Sequence, residues 1–417
     1  MNKGEGQVSK KPLEGIKVLD LSWVFSAPFA TLMLQDLGAE VVKVERPHTG
    51  DRSRFLPPFK EDTSAYFFML NRGKKSISLD LKSEDGKRLF LELAKEFDVI
   101  VENFVAGTME KIGLGYEEVK RVNPEIIYAS LNGFGSDGPY SHLPCIDGIA
   151  QAMGGLMSMN GVEGGQPLKT GPAVADALSG VYLTVGILSA IIERNNTGKG
   201  QRIEVSMMDS VFSVLEESVI RTSMTGEVMS LRGNKDPFGA PWDAFQTSDN
   251  KWVIVCASGE DRFLKVYEGI GRNDIAHEYR GNDLKALEKR AENLDYLNEI
   301  FAQWAIKQTS TEILDFLSIR HIPAGEVKNV KDLINDTHLK ERNMVVDVVH
   351  PKLGNIKLPN MPIKFFDKKI GLKNGDTPIE PQLGEHNEEI LQTYLGLDEE
   401  EINRLKQTGV IYSVDCM

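Results

Sequence analysis

The sequence predicts an α/β protein: a large doubly wound (Rossmann-like) domain with a smaller α+β domain inserted into it. Three observations carry this reading. Short β-rich runs alternate with segments of helical period over the first ~200 residues. The alternation stops near residue 226, and up to residue 325 it gives way to charged amphipathic helices around a single strand. The chain, at 417 residues, is also long for one core, and its 41% hydrophobic and 26% charged residues can fill two.

The elements follow in order. Gly15 to Ser22 (GIKVLDLS) reads as a strand, Ala27 to Leu37 has helical spacing, and Glu40 to Glu45 (EVVKVE) is extended again. Such a β-α-β opening builds parallel sheets through right-handed crossovers. Lys74 to Leu81 predicts another strand, Asp85 to Glu96 an amphipathic helix, and Asp98 to Glu102 (DVIVE) the next strand. Gly115 to Val122 is helical, Glu125 to Leu131 extended, Ala177 to Arg194 helical and Gln201 to Val205 extended. The smaller unit holds a strand, Trp252 to Ala257, and helices at Leu284 to Glu292 and Leu297 to Ala305. Beyond Ile322, β-rich pieces and a helix at Glu388 to Tyr394 return to the first domain. The predicted domains are 12–225 with 326–417, and 226–325.

A net charge of −13 argues against a nucleic-acid or anionic-membrane partner, because either would be repelled. Any anionic ligand needs a few placed cations. The start, Met1 to Lys11, lacks the apolar segment of a signal peptide. The apolar stretch Ala173 to Ile192 is broken by Asp176, Ser179 and Gly180, so a buried helix is expected rather than a membrane span. Cys145, Cys256 and Cys416 are scattered, which suggests reduced thiols and a cytoplasmic setting. Neither they nor the seven histidines have metal-ligand spacing, so no metal is expected.

The stretch Lys169 to Gly180 (KTGPAVADALSG) is the most informative. A Gly-Pro turn leads into small residues, and Asp176 stands at the start of a long apolar helix. There, free backbone N–H groups and the helix dipole are expected to keep a carboxylate ionised. From spacing alone, Asp176 reads first as a helix N-cap and is only a candidate for chemistry.

Several motifs agree on one family. PLEGIKVLDLSWVFSAPFAT, EVVKVERPHTGD, NRGKKSISLDLKS, DVIVENF, GLGYEEVKRVNPEIIYASLNGFGSDGP, GPAVADALSG, TGKGQRIEVSMMDSV, IPAGEVKNVKDL and LGEHNEEIL resemble, in order, the class III CoA-transferases. That family includes formyl-CoA, carnitine and bile-acid CoA-transferases, with α-methylacyl-CoA racemase as a relative. The resemblance runs from Pro12 to Leu391. It implies transfer of CoA from an acyl-CoA donor to a free carboxylic acid, with Asp176 as the nucleophile. The intermediates would be an aspartyl anhydride and an aspartyl-CoA thioester. It also implies coenzyme A as a substrate, no tightly bound cofactor, and an interlocked homodimer.

By the same resemblance the CoA site comprises Phe25 and Ser26 after the first strand, Arg46 after EVVKVE, and Leu79 to Lys82. Asn103, Phe104 and Val105 of the ENF turn, and Lys111, complete it. Some positions depart from the formyl-CoA transferases. Their glutamine after the first strand is Phe25 here, and their glycine-rich flap matches Gly233 to Trp242, with only two glycines. Their lysine and tyrosine on the CoA path are Pro144 and Ile146. A bulkier or less polar acid than oxalate is therefore expected.

Three alternatives stand beside this. An acyl-CoA racemase or epimerase needs acid-base groups on both faces of the α-carbon, and the histidine of its His-Asp pair is replaced in Cys145-Ile146-Asp147. Gly133 to Gly138 spells a G-x-G-x-x-G, but Pro139 follows where a helix would have to open, so it reads as a turn. A non-catalytic CoA-binding partner subunit is the third, against which the presence of Asp176 speaks.

Overall fold

The computed structural model describes residues 10–236 and 239–414. Cys416, and Pro237 and Phe238 within the expected flap, lie outside the described residues. The chain forms two units. One takes in the chain up to Leu156, Lys169–Val219 and everything from Thr337 on; the other is Met157–Leu168 with Ile220–Asp336. The excursion Met157–Leu168 was not anticipated from sequence. It is held within the second unit by the Leu168 N–H to Asn160 carbonyl and Gly233 N–H to Gly161 carbonyl bonds.

The first unit is organised by a six-stranded parallel sheet. Its strands are β1 (Lys17–Asp20), β2 (Glu40–Glu45), β3 (Lys75–Ser78), β4 (Val99–Glu102), β5 (Ile127–Asn132) and β6 (Gln201–Ser206). They lie in the order β3-β2-β1-β4-β5-β6, every pair parallel. This is the doubly wound order, in which the winding reverses between β1 and β4. The run VIV of β4 and the whole of β5 are buried, as expected of strands covered on both faces.

Helices cover the sheet. The principal ones are α1 (Ser26–Asp36), α2 (Glu84–Glu96), α3 (Asp147–Met153) and α4 (Val174–Thr197). Helix α2 is capped by Ser83, whose hydroxyl accepts the Gly86 N–H, and buries Leu89, Phe90 and Leu93. Helices α1 and α4 pack together, and Ala27, Ala30, Ala175, Leu183 and Ile187 belong to one core with the β1, β4 and β5 residues Val18, Val99 and Ala129.

Two sequence expectations shift. Helix α4 begins at Val174 rather than Ala177, so Asp176 is its third residue and Ala173 its cap position, without a side-chain cap. Nor is α4 simply a buried helix. It is long and apolar enough to cross a membrane by composition, yet it packs one face on the core and leaves Val181, Val185 and Ile192 exposed. A final helix, Glu399–Gln407, was not foreseen; Asp398 caps it, and Ile402 and Leu405 join the core.

The second unit has an antiparallel sheet of Gly239–Gln246, Trp252–Ser258 and Ala324–Glu326. Phe245, Val253 and Val255 pack there with Phe263, Tyr267 and Phe301 from its helices. Helix Leu284–Glu292 has the predicted bounds, and the next runs Leu294–Ala305, three residues longer at its start than predicted.

Candidate active site

Two cavities of about 580 Å³ each open at the carboxyl ends of the parallel strands, where such sheets bind ligands. The first is walled by the ends of β1, β2, β3 and β4 and includes Arg46, Arg52, Leu79 and Lys82. The second includes Phe25, Ser26, Asn103, Val105, Asp147, Lys169 and Asp176. Trp23, Arg52 and Phe104 line both, so the cavities adjoin through a shared wall.

Asp176 owes its setting to three neighbours. Asp147 Oδ1 accepts the N–H groups of Ala175 (2.9 Å) and Asp176 (3.4 Å), so a carboxylate from α3 caps the first turn of α4. Asp147 Oδ2 is held by the Gln151 amide at 2.7 Å, and Gln151 in turn accepts the Thr170 N–H at 2.9 Å. Ser26 donates its hydroxyl to Asp176. The close approach of α1 and α4 rests on Gly180, where a β-carbon would meet the Ser26 carbonyl oxygen at 2.6 Å.

The helix start does not hold the Asp176 carboxyl in the ordinary carboxylate range. Burial, and then the charge of Asp147, push its carboxyl up to about 7, against the opposing Ser26 hydrogen bond. The Ala175 and Asp176 amides at the helix start go to Asp147 rather than to the Asp176 carboxylate.

The loop after β1 is pinned by a residue of the ENF turn. Asn103 Oδ1 accepts the Trp23 N–H and its Nδ2 donates to the Trp23 carbonyl, both at 2.9 Å. Beneath that turn, buried Glu102 accepts the Phe104 N–H at 2.8 Å, and burial raises its carboxyl to about 7. Arg46, Arg52 and Lys82 are exposed, and among the described residues no carboxylate pairs with them. Lys111 is exposed and outside both linings, although Met109 and Ile112 beside it line the first cavity.

Of the resemblance-derived positions, the fold therefore gathers Arg46, Leu79, Lys82 and Phe104 at one cavity. It gathers Phe25, Ser26, Asn103, Phe104, Val105 and Asp176 at the other. Cys145 also lines the second, but burial and the Asp176 charge push its thiol up to about 11, where little thiolate exists at neutral pH. No histidine lines either cavity. Gly133 to Gly138 is a turn following β5, with no helix opening on it.

Residues 13–387 match the family model for CoA-transferase family III. The chain belongs to CoA-transferase family III. The transferase is 36% identical to a formyl-CoA:oxalate CoA-transferase of Streptomyces coelicolor, over 97% of this chain and 100% of that one. It is 38% identical to an acetyl-CoA:oxalate CoA-transferase of Acetobacter aceti (85% and 90%) and 35% to a mouse succinyl-CoA:glutarate CoA-transferase (97% and 91%). Among solved structures, a CAIB/BAIF family protein from Brucella suis matches with TM-score 0.80 and 33% identity, covering 93% of this chain and 100% of that one. The family III transferase is thus an enzyme that takes CoA as a substrate.

Sequence reasoning about this transferase missed Trp23, Arg52 and the capping role of Asp147. Arg52 had a faint signal. It follows Asp51, whose side chain accepts the Ser53 N–H and starts the short turn Arg52–Phe55 that carries Arg52 to the strand ends.

Proposed function

We propose that the enzyme moves CoA from an acyl-CoA to a free carboxylic acid by covalent catalysis on Asp176. The observation that carries this reading is the half-buried Asp176 carboxylate, raised by burial and by neighbouring Asp147 in one cavity, with an adjoining cavity that holds three cations without carboxylate partners among the described residues. Arg46, Arg52 and Lys82 would hold the phosphorylated end of CoA, with the pantetheine arm running past Trp23 and Phe104 to the thioester beside Asp176. Phe25, Ser26, Leu79, Asn103 and Val105 would shape the path.

The ionised Asp176 attacks the donor thioester carbonyl. The C–S bond breaks, giving a mixed anhydride and CoA thiolate. The thiolate attacks the aspartyl carbonyl, the donor acid leaves as carboxylate, and an aspartyl-CoA thioester remains. An acceptor carboxylate then attacks that thioester, and the released CoA thiolate takes the new acyl group from the anhydride, regenerating Asp176. Thioester energy is conserved throughout, so no ATP is consumed.

Phe25, Phe134, Leu143, Ile146 and Met207 make the lining around Asp176 largely apolar, which supports an acceptor bulkier than oxalate. The absence of a lining histidine disfavours a racemase, which would need a second proton-transfer group. The exposed apolar face of α4 supports assembly with a second copy of the chain, and free Cys145 and Cys256 support a cytoplasmic location.

The test is chemical trapping. Incubation with an acyl-CoA and hydroxylamine is expected to leave a hydroxamate on Asp176, found by peptide mass spectrometry. Unimpaired CoA exchange by Asp176→Ala would overturn the assignment.

A further inference from the structure

Lys43 stands in the middle of β2, paired in register with Asp20 of β1, and its side chain is 1% exposed. A cation in a buried strand is costly unless its partners are fixed. Its ammonium donates to the Ser22 carbonyl at 2.6 Å and meets Asp51 Oδ2 at 2.9 Å in an ion pair. Asp51 is equally buried, and its other oxygen accepts the N–H groups of Val24 (3.1 Å) and Ser53 (2.8 Å).

With Asn103 on both polar groups of Trp23, every residue from Ser22 to Val24 is tied down. The reason for so many ties is Val24. Its φ of 67° is a left-handed conformation that a β-branched side chain resists, and such strain persists only where surroundings over-determine it. That kink leads from Trp23, in the shared wall, to Ser26, on Asp176. Asp51 also caps the turn that carries Arg52, the wall's other exposed member.

We propose that the buried Lys43–Asp51 ion pair positions the wall between the two cavities. It holds the strained Ser22–Ser26 loop and the Arg52 turn in one register, so that the CoA groove and the Asp176 pocket meet. The pair touches no reacting atom; Lys43 and Asp51 act through Trp23, Ser26 and Arg52. Its consequence for turnover rests on the proposed transfer chemistry, whereas its consequence for the loop does not.

The discriminating variant replaces both charges with apolar groups of similar size, Lys43→Met with Asp51→Leu. Removing a buried pair in this way commonly preserves stability, whereas removing one partner does not. Hydrogen exchange of the full-length protein, read by mass spectrometry without substrate, is expected to quicken at least 10-fold in Ser22–Ser26 and to stay unchanged in β4 and β5. The same variant should lose at least 20-fold in kcat while its melting temperature stays within a few degrees.

Loop exchange at the wild-type rate in the double variant, or kcat within 3-fold of wild type, overturns the proposal. Should the double variant not fold, Asp51→Asn, which keeps an acceptor oxygen but not the charge, is expected to quicken loop exchange at least 3-fold; unchanged exchange there overturns it equally. Failure of the wild type to transfer CoA would sink the transfer reading and leave the exchange result standing.

Discussion

The two cavities differ in what the fold leaves unsatisfied. At the first, the unmet groups are cations: Arg46, Arg52 and Lys82 face solvent without carboxylate partners among the described residues, on a chain whose net charge is −13. At the second, the tension lies between carboxylates, with Asp147 beside Asp176 in a mostly apolar lining. Surface cations cost almost nothing to keep and can be placed wherever a strand ends. A half-buried acid beside another acid destabilises the protein, a cost that fits the reactive role proposed for Asp176. In the proposed reading, the contrast separates holding a ligand from reacting with it.

The predictions break that contrast at different points. The largest effect is expected from Asp176→Ala, which removes the proposed nucleophile. CoA exchange between acyl-CoA and acid, followed by chromatography, should fall by about 10³-fold or more.

Next comes stability. Because the Asp176 carboxyl is raised from 3.8 to about 7, the native state binds more protons than the unfolded state between those values. Stability therefore falls as pH rises through that window, and the full penalty stands above about 7. Asp176→Asn escapes it, so its gain in stability should reach roughly 2–4 kcal/mol at pH 8 and fade towards pH 4. Denaturant melts at several pH values check this, and a pH-independent difference would refute the burial argument.

On the cationic side, Arg46→Ala and Lys82→Ala should each raise the KM for acyl-CoA about 10-fold, one charge-assisted contact apiece, with little change in kcat. Added salt should narrow the gap between each variant and the wild type.

The smallest effect sharpens the picture at Asp176 itself. Activity should rise with pH through about 7 as Asp176, the proposed nucleophile, ionises. Asp147→Asn removes the neighbouring charge while leaving an oxygen for the α4 amides, so the midpoint of kcat/KM against pH should move down by about one unit. A midpoint that stays put would assign the raised carboxyl to burial alone.

Much of this architecture was legible because buried parallel strands announce themselves. EVVKVE and the VIV of DVIVE are continuous β-rich runs, and their strand bounds came out within a residue. The start of α4 was not legible, because its cap is not local. Ala173 offers no side-chain acceptor, and the one that serves, Asp147, arrives from another helix through the fold. Helix Glu399–Gln407 escaped notice because only Ile402 and Leu405 are buried in an otherwise charged segment.

The site divides in the same way. Asp176, Arg46 and the ENF turn came from motif resemblance, since a lone Asp or Arg carries no chemistry in its spacing. Trp23 and Arg52 needed the structure. One depends on the kink at Val24, the other on the cap at Asp51, and both are consequences of buried pairing that no local pattern records.

Gly180 gives the site its gauge. One hydrogen atom, where any other residue has a carbon, sets how near the opening turns of two helices can lie. Widening that gap by a methyl group would carry the Ser26 hydroxyl away from the acid it steadies. The spacing works as a fixed shim: side-chain choice at this position can lengthen the reach between the helices but has no way to shorten it.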